Sequence, residues 1–208
     1  MKLFAATAIA GAALAAAATA ATPTLTLAAS APVVSYGKPV TLSGTLSTQQ
    51  ANQNITIKAT ACGTTKPTTA ARVKTTANGA YAAAVTPTIT TSYQAFQKNI
   101  QSGKVVVAVA PALALKRVAR GSFTASLTAA QDFKGKALLF QRYAKLRKRW
   151  VQVKKVTLTA SAPTQRPTIV SSASFRAKTP RRARVRLVLT KAQAGACYAS
   201  AKSNVVRN

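Results

Sequence analysis

Short runs of alternating apolar and polar residues follow one another along most of the chain. Beyond the first twenty residues come "TLTLAAS", "PVTLSGTL", "NITIKAT", "ARVKTT", "AYAAAVTP", "SYQAFQ" and "KVVVAVAP", separated by Gly, Pro, Asn, Ser and Thr. Period-two alternation rich in Val, Ile, Thr and Tyr marks strands with one buried face, and many such runs at this spacing predict a sandwich or barrel. "ANGA", Ala77 to Ala80, predicts a hairpin between "RVKTT" and "YAAAV", because Asn and Gly both tolerate positive φ. The pattern restarts after Pro111 with "ALALKRV", "SFTASLTAA", "KALLFQRYA", "WVQVKKVTLTAS", "ASFRAKT", "RVRLVLTKA" and "ASAKSNVVR". Each half is long enough to enclose a small core of its own. The expectation is an all-β chain of two tandem β-sandwich domains, 22–110 and 111–208, with the boundary near Ala110–Pro111.

The start, "MKLFAATAIAGAALAAAATAATP", breaks this pattern. Lys2, a run of small apolar residues and repeated Ala-x-Ala have the layout of a secretory signal peptide, residues 1–20. Cleavage after Ala18 and cleavage after Ala20 fit equally well. A retained membrane anchor is the alternative, but a run made mostly of Ala is weakly apolar for a spanning helix. With no Cys near the cleavage region and no apolar tail in "SNVVRN", the expected mature chain is secreted or envelope-associated, without a transmembrane segment.

Composition narrows the chemistry. Asp132 is the only acidic side chain and there is no His. General acid–base catalysis draws mainly on His, Glu and Asp, and hydrolytic metal sites on His, Cys and carboxylates. One carboxylate cannot build a carboxylate pair, a Ser–His–Asp triad or a three-ligand metal site. Neither a Walker-type loop nor a dinucleotide fingerprint is present. A non-enzymatic protein is expected, with no cofactor, no metal and no small-molecule substrate. Cys62 and Cys197 fit an oxidising compartment. They form an interdomain bridge if both sites meet at the junction within about 7 Å, and otherwise stay unpaired or contact a second molecule.

Two stretches carry a resemblance. "SYGKPVTLSGTLS" followed by "TTANGAYAAAVTPTITTSYQA" resembles the secreted bacterial immunoglobulin-like domains common in actinobacterial surface and exported proteins. Those domains show a Gly-x-x-V-x-L-x-G strand, an N-G-x-Y hairpin and a T-x-Y strand. "GSFTASLTAAQDFKGKALLFQRY…RWVQVKKVTL" is similar to companion domains of the same kind. The resemblance covers nearly all of the mature chain and implies two immunoglobulin-like sandwiches. It implies no activity, since such folds serve as spacers, adhesive modules and ligand binders alike. The paired intradomain Cys and buried-Trp spacing of antibody domains is missing.

Charge supplies the functional candidate. The chain carries 30 Lys and Arg and a formal net charge of +29. Residues 22–110 hold 7 of these cations, and residues 111–208 hold 22 beside the lone Asp132. In "RRARVRLVL", alternation predicts Ala183, Val185, Leu187 and Leu189 on one face and Arg182, Arg184 and Arg186 on the other, a ladder about 13 Å long. In "WVQVKKVTL", Val151 and Val153 are expected on one face, with Trp150, Gln152 and Lys154 on the other. "KLRKR" reads as a hairpin tip carrying Lys145, Arg147, Lys148 and Arg149. Tip and ladder merge only if their strands are neighbours.

Exposed cations also serve simply as solvated or edge-protecting residues. A nearly one-signed surface still repels itself and binds polyanions by counterion release. Trp150 and Tyr143 flank the tip, where an aromatic stacks either on a base or sugar or within the protein; packing in the core or across the hairpin is the favoured expectation. The expected partner is an anionic cell-envelope polymer. The rival expectations are an extracellular DNA- or acidic-polysaccharide binder and a structural spacer with incidental charge. A membrane-active cationic factor is disfavoured for want of an amphipathic helix.

Overall fold

The computed structural model describes residues 22–208, so the expected signal peptide lies outside the described residues. Within them the chain is all-β, with one short helix. The N-terminal half contains β1 (Ala28–Ala29), β2 (Val33–Ser35), β3 (Val40–Thr45), β4 (Asn54–Ala61), β5 (Thr68–Lys74), β6 (Ala80–Val85), β7 (Thr91–Gln97), β8 (Ile100–Gln101) and β9 (Val105–Ala110). One sheet has the order β1-β3-β6. The other runs β2-β9-β7-β4-β5, with β8 also on β7.

The C-terminal half contains β10 (Ala112–Ala119), β11 (Ser122–Ala129), β12 (Ala137–Ala144), β13 (Arg149–Thr157), β14 (Ala160–Pro163), β15 (Ile169–Arg176), β16 (Arg184–Leu189), α1 (Lys191–Ala194), β17 (Ala201–Lys202) and β18 (Val206–Arg207). Its sheets are β10-β11-β15-β14 and β13-β12-β16-β17, with β18 also paired to β16. Among the described residues, no sheet draws strands from both sides of Pro111.

The alternation in the sequence becomes the inside and outside of these sheets. On β11, Phe123, Ala125, Leu127 and Ala129 are buried in turn. Phe123, Phe140 and Phe175 meet with ring centroids 5.1–5.7 Å apart, joining the two C-terminal sheets through one aromatic cluster. On β3, Val40 and Leu42 are buried, and Gly44 pairs with Tyr81 of β6. A Cβ on Gly44 would fall 2.0 Å from the Thr26 carbonyl oxygen and 2.6 Å from the Tyr81 hydroxyl. That glycine lets the buried Tyr81 hydroxyl donate to the Thr26 carbonyl. Burial pushes the Tyr81 pKa up to about 12.

Three expectations need correction. Asn78–Gly79 does form a turn, with Gly79 at φ +70° and its N–H donating to Thr76 O at 2.9 Å. It is not a hairpin: β5 is taken by β4 and β6 by β3, so the turn carries the chain from one sheet to the other. "WVQVKKVTLTAS" is two strands, because the chain crosses between sheets after β13 and pairs again as β14 with β15. A bulge opposite Phe140 and Gln141 also shifts register within β13. Residues beyond it change face.

The two halves meet around Cys197. Cys62 and Cys197 are bonded, with Cα atoms 5.4 Å apart, so the two cysteines pair within the chain and link its two halves. Thr90 N–H donates to Cys197 O at 3.1 Å, and Ala199 N–H to Val109 O at 2.8 Å. The fully buried Tyr198 donates its hydroxyl to Thr88 O and accepts from Ala130 N–H, each at 3.1 Å. Lys191 fixes the loop between them: its Nζ donates to the carbonyls of Gly195, Ala196 and Tyr198 at 2.7–3.0 Å.

Candidate functional site

The hairpin tip and the arginines of β16 are neighbours, because β12 pairs with β13 on one side and β16 on the other. Lys145, Leu146, Arg147 and Lys148 form the turn between β12 and β13, all exposed, with Lys148 at φ 47°. Arg149 is exposed and opens β13 opposite Ala144. It alternates with Trp150 and so leaves the sheet on the other face.

The arginine ladder is shorter than expected. Arg184 and Arg186 lie on β16 as predicted, but Arg182 sits in the preceding turn at φ 57°. Its N–H donates to Asn208 O at 2.7 Å, and Ala183 N–H closes the turn on Pro180 O. The turn arises because Pro180 and the Asn208 contacts hold this segment before β16 begins. Lys154 also departs from the expected face. The β13 bulge places it opposite the buried Phe140, and its Nζ reaches across the edge to Arg176 O at 3.2 Å.

The outward face of β13-β12-β16 layers cations on aromatics. Arg186 lies over Trp150 at 4.1 Å and donates Nε–H to Gln141 Oε1 at 3.0 Å. Partial desolvation lowers the Arg186 pKa from the usual guanidinium value. Arg184 lies over Tyr143 at 5.2 Å, and Tyr143 packs edge-on against Trp150 at 5.4 Å. Trp150 therefore packs across the hairpin, with the Arg186 guanidinium against its ring. Arg184 also faces Arg207 directly in register. Like charges placed so repel each other unless an anion intervenes.

Following the strands shows where the charge collects. The β10–β11 turn, the β12–β13 tip, the end of β15, the start of β16 and β18 all lie at one end of the C-terminal half. The junction with the N-terminal half, near Pro111, Ala130 and Cys197, lies at the other end. This distal pole gathers Arg117, Arg120, Arg176, Lys178, Arg181, Arg182, Arg184 and Arg207 with the tip cations. Between the tip and the 180–183 turn lies a cleft of about 630 Å³ lined by Arg142, Lys145, Arg147, Arg181, Arg182 and Arg184, with Leu146, Val151 and Pro180. A second cleft of about 760 Å³ lies between Arg120, Arg176 and Lys178.

The only carboxylate side chain is elsewhere. Asp132 lies in the turn after β11, near the junction, where its Oδ1 accepts from Lys134 N–H at 2.8 Å and Ser171 Oγ at 3.2 Å. The Lys134 N–H above all holds its pKa below the usual carboxylate range. Among the described residues no three His, Cys, Asp or Glu cluster, and no helix is long and apolar enough to cross a membrane.

Sequence reasoning missed Arg117, Arg120, Arg176 and Lys178 of the pole, and with them Arg142, Arg181 and Arg207. Arg142 stands in an apolar-looking strand, and Arg181 and Arg207 join the pole only through long-range pairing and turn geometry. No protein-family model matches the chain, and no curated protein matches it.

Proposed function

We propose that the protein is an exported, non-enzymatic pair of immunoglobulin-like domains whose C-terminal half holds anionic cell-envelope polymer at its distal pole. Strand order supports the architectural part. In the C-terminal half, β10-β11-β15-β14 and β13-β12-β16-β17 follow the A-B-E-D and C′-C-F-G orders of immunoglobulin-type sandwiches. In the N-terminal half, β1-β3-β6 and β9-β7-β4-β5 follow the same scheme without a fourth strand in the smaller sheet. On this reading the N-terminal half serves as spacer or interaction module, bridged to its neighbour by Cys62–Cys197.

The observation that carries the binding reading is the convergence of the tip and the 180–184 segment on one pole, with Asp132 at the other end. Arginine forks there present donors to phosphate or carboxylate oxygens. The test is retention of the mature protein on envelope preparations. Reversing Arg182, Arg184 and Arg186 to Glu lowers retention and flattens its salt dependence. Because Arg186 is engaged with Trp150 and Gln141, a second triple, Arg147, Arg182 and Arg184 to Glu, separates charge loss from loss of that packing. Unchanged retention in both removes the pole from the account.

A further inference from the structure

We infer that the cleft between the hairpin tip and the 180–183 turn is a discrete site for a single-file chain of phosphodiesters joined by short polyols. This rests on the polyanion reading above and names the ligand class at the same pole. Three observations converge on it.

The first is shape. Arg142, Lys145, Arg147, Arg181, Arg182 and Arg184 surround a concave space of about 630 Å³, rather than a flat face. A thin flexible chain can enter and meet cations on both sides. A duplex carries its phosphates on a convex cylinder and touches only the rims.

The second is charge density. Six cations around so small a space match closely spaced anions, which short polyols between phosphodiesters provide. The half-buried Arg142, paired in register with Val151, lines the cleft itself. Arginine and phosphate pair through parallel hydrogen bonds.

The third concerns bases. Single-stranded nucleic acid binds by stacking on free aromatic faces. Here the Trp150 ring is engaged by Arg186 at 4.1 Å and by Tyr143 at 5.4 Å, and Tyr143 itself lies beneath Arg184. Tyr143 lines the cleft, but with Arg184 over its ring, and the rest of the apolar wall, Leu146, Val151 and Pro180, is aliphatic and suits the carbon stems of a polyol.

The experiment uses the full mature chain and poly(glycerol phosphate) oligomers. The comparison probes are single-stranded oligonucleotide, its duplex and oligogalacturonate, all of matched charge. Binding is read by calorimetry and by fluorescence of Trp150, the chain's one tryptophan, which contacts the cleft through Tyr143 and Arg184. The poly(glycerol phosphate) oligomer is expected to bind most tightly.

Arg147→Gln/Arg182→Gln/Arg184→Gln is compared with Lys136→Gln/Lys155→Gln/Lys202→Gln, which removes the same charge from exposed positions outside the cleft. The cleft triple is expected to weaken binding at least about tenfold and to reduce the salt slope by about 2, with a much smaller loss for the outer triple. The pair Lys145→Gln/Arg147→Gln, both on the exposed tip, gives the same direction should the triple fold poorly. Equal losses in the two triples, with binding retained, overturn the cleft while leaving a polyanion-binding surface. Tighter binding of oligonucleotide, duplex or uronate overturns the ligand class. Failure of every probe to bind at physiological salt overturns the polyanion reading itself.

Discussion

Cutting the covalent link between the halves gives the most calculable consequence. The bridge joins residues separated by 135 positions, Cys62 at the end of β4 and Cys197 in the loop after α1. Closing a loop of that length removes denatured-state entropy worth about 5 kcal/mol at 25 °C in the chain-entropy model, while removal of native bridges typically costs about 2–5 kcal/mol. The Tyr198 and Ala199 hydrogen bonds do not depend on the bond and remain to hold the junction. Cys62→Ser/Cys197→Ser is therefore expected to lose about 2–5 kcal/mol without losing its sheets. The assay is guanidinium unfolding, followed by Trp150 fluorescence for the C-terminal half and by far-ultraviolet circular dichroism for both halves. The intact protein should give coincident transitions and the variant separated ones. A loss below about 1 kcal/mol, well under the range for native bridges, would refute the loop-closure argument.

Two further consequences follow from Tyr81. Gly44→Ala drives a methyl into the Thr26 carbonyl and the Tyr81 hydroxyl, and should cost about 1–3 kcal/mol, read as a lower thermal midpoint; an unchanged midpoint contradicts the close approach. Tyr81 has a folded pKa of about 12 against an ordinary 10.0. Its protonated form is favoured by folding, so this stability is complete below pH 10 and is lost as the pH rises toward 12. Alkaline unfolding of Tyr81→Phe should show a shallower fall over that window than the parent protein, although it starts less stable. Parallel curves contradict the assignment.

Strands with a clear inside and outside were legible along the chain: β4, β7, β11 and β12 follow from alternation alone. Which strand pairs with which was not. "ANGA" carries the local chemistry of a hairpin, yet β3 and β4 claim the flanking strands, and that choice depends on contacts distant in sequence. The basic tip was readable because a run of cations between two strand-like runs has few other places to go. Lys154 was misplaced because a one-residue bulge in β13 reverses the face of everything beyond it. Arg182 was misplaced because its turn is held by Asn208, 26 residues away by their numbers. Arg142 was overlooked because a cation on the core-facing side of a strand looks like a break in the pattern, until the strand end proves to open onto a cleft.

The central claim is that the distal pole binds anionic envelope polymer selectively. Its most direct test is retention of residues 22–208 on envelope preparations and on DNA, side by side, as salt rises from about 50 to 200 mM, the range over which phosphate-driven binding falls steeply. The account predicts retention on envelope polymer that persists to 200 mM, exceeds that on DNA, and disappears when Arg147, Arg182 and Arg184 are reversed to Glu. Retention on both that collapses together, unchanged in rank by those reversals, would contradict it and leave a sandwich-like protein with an indiscriminate positive coat.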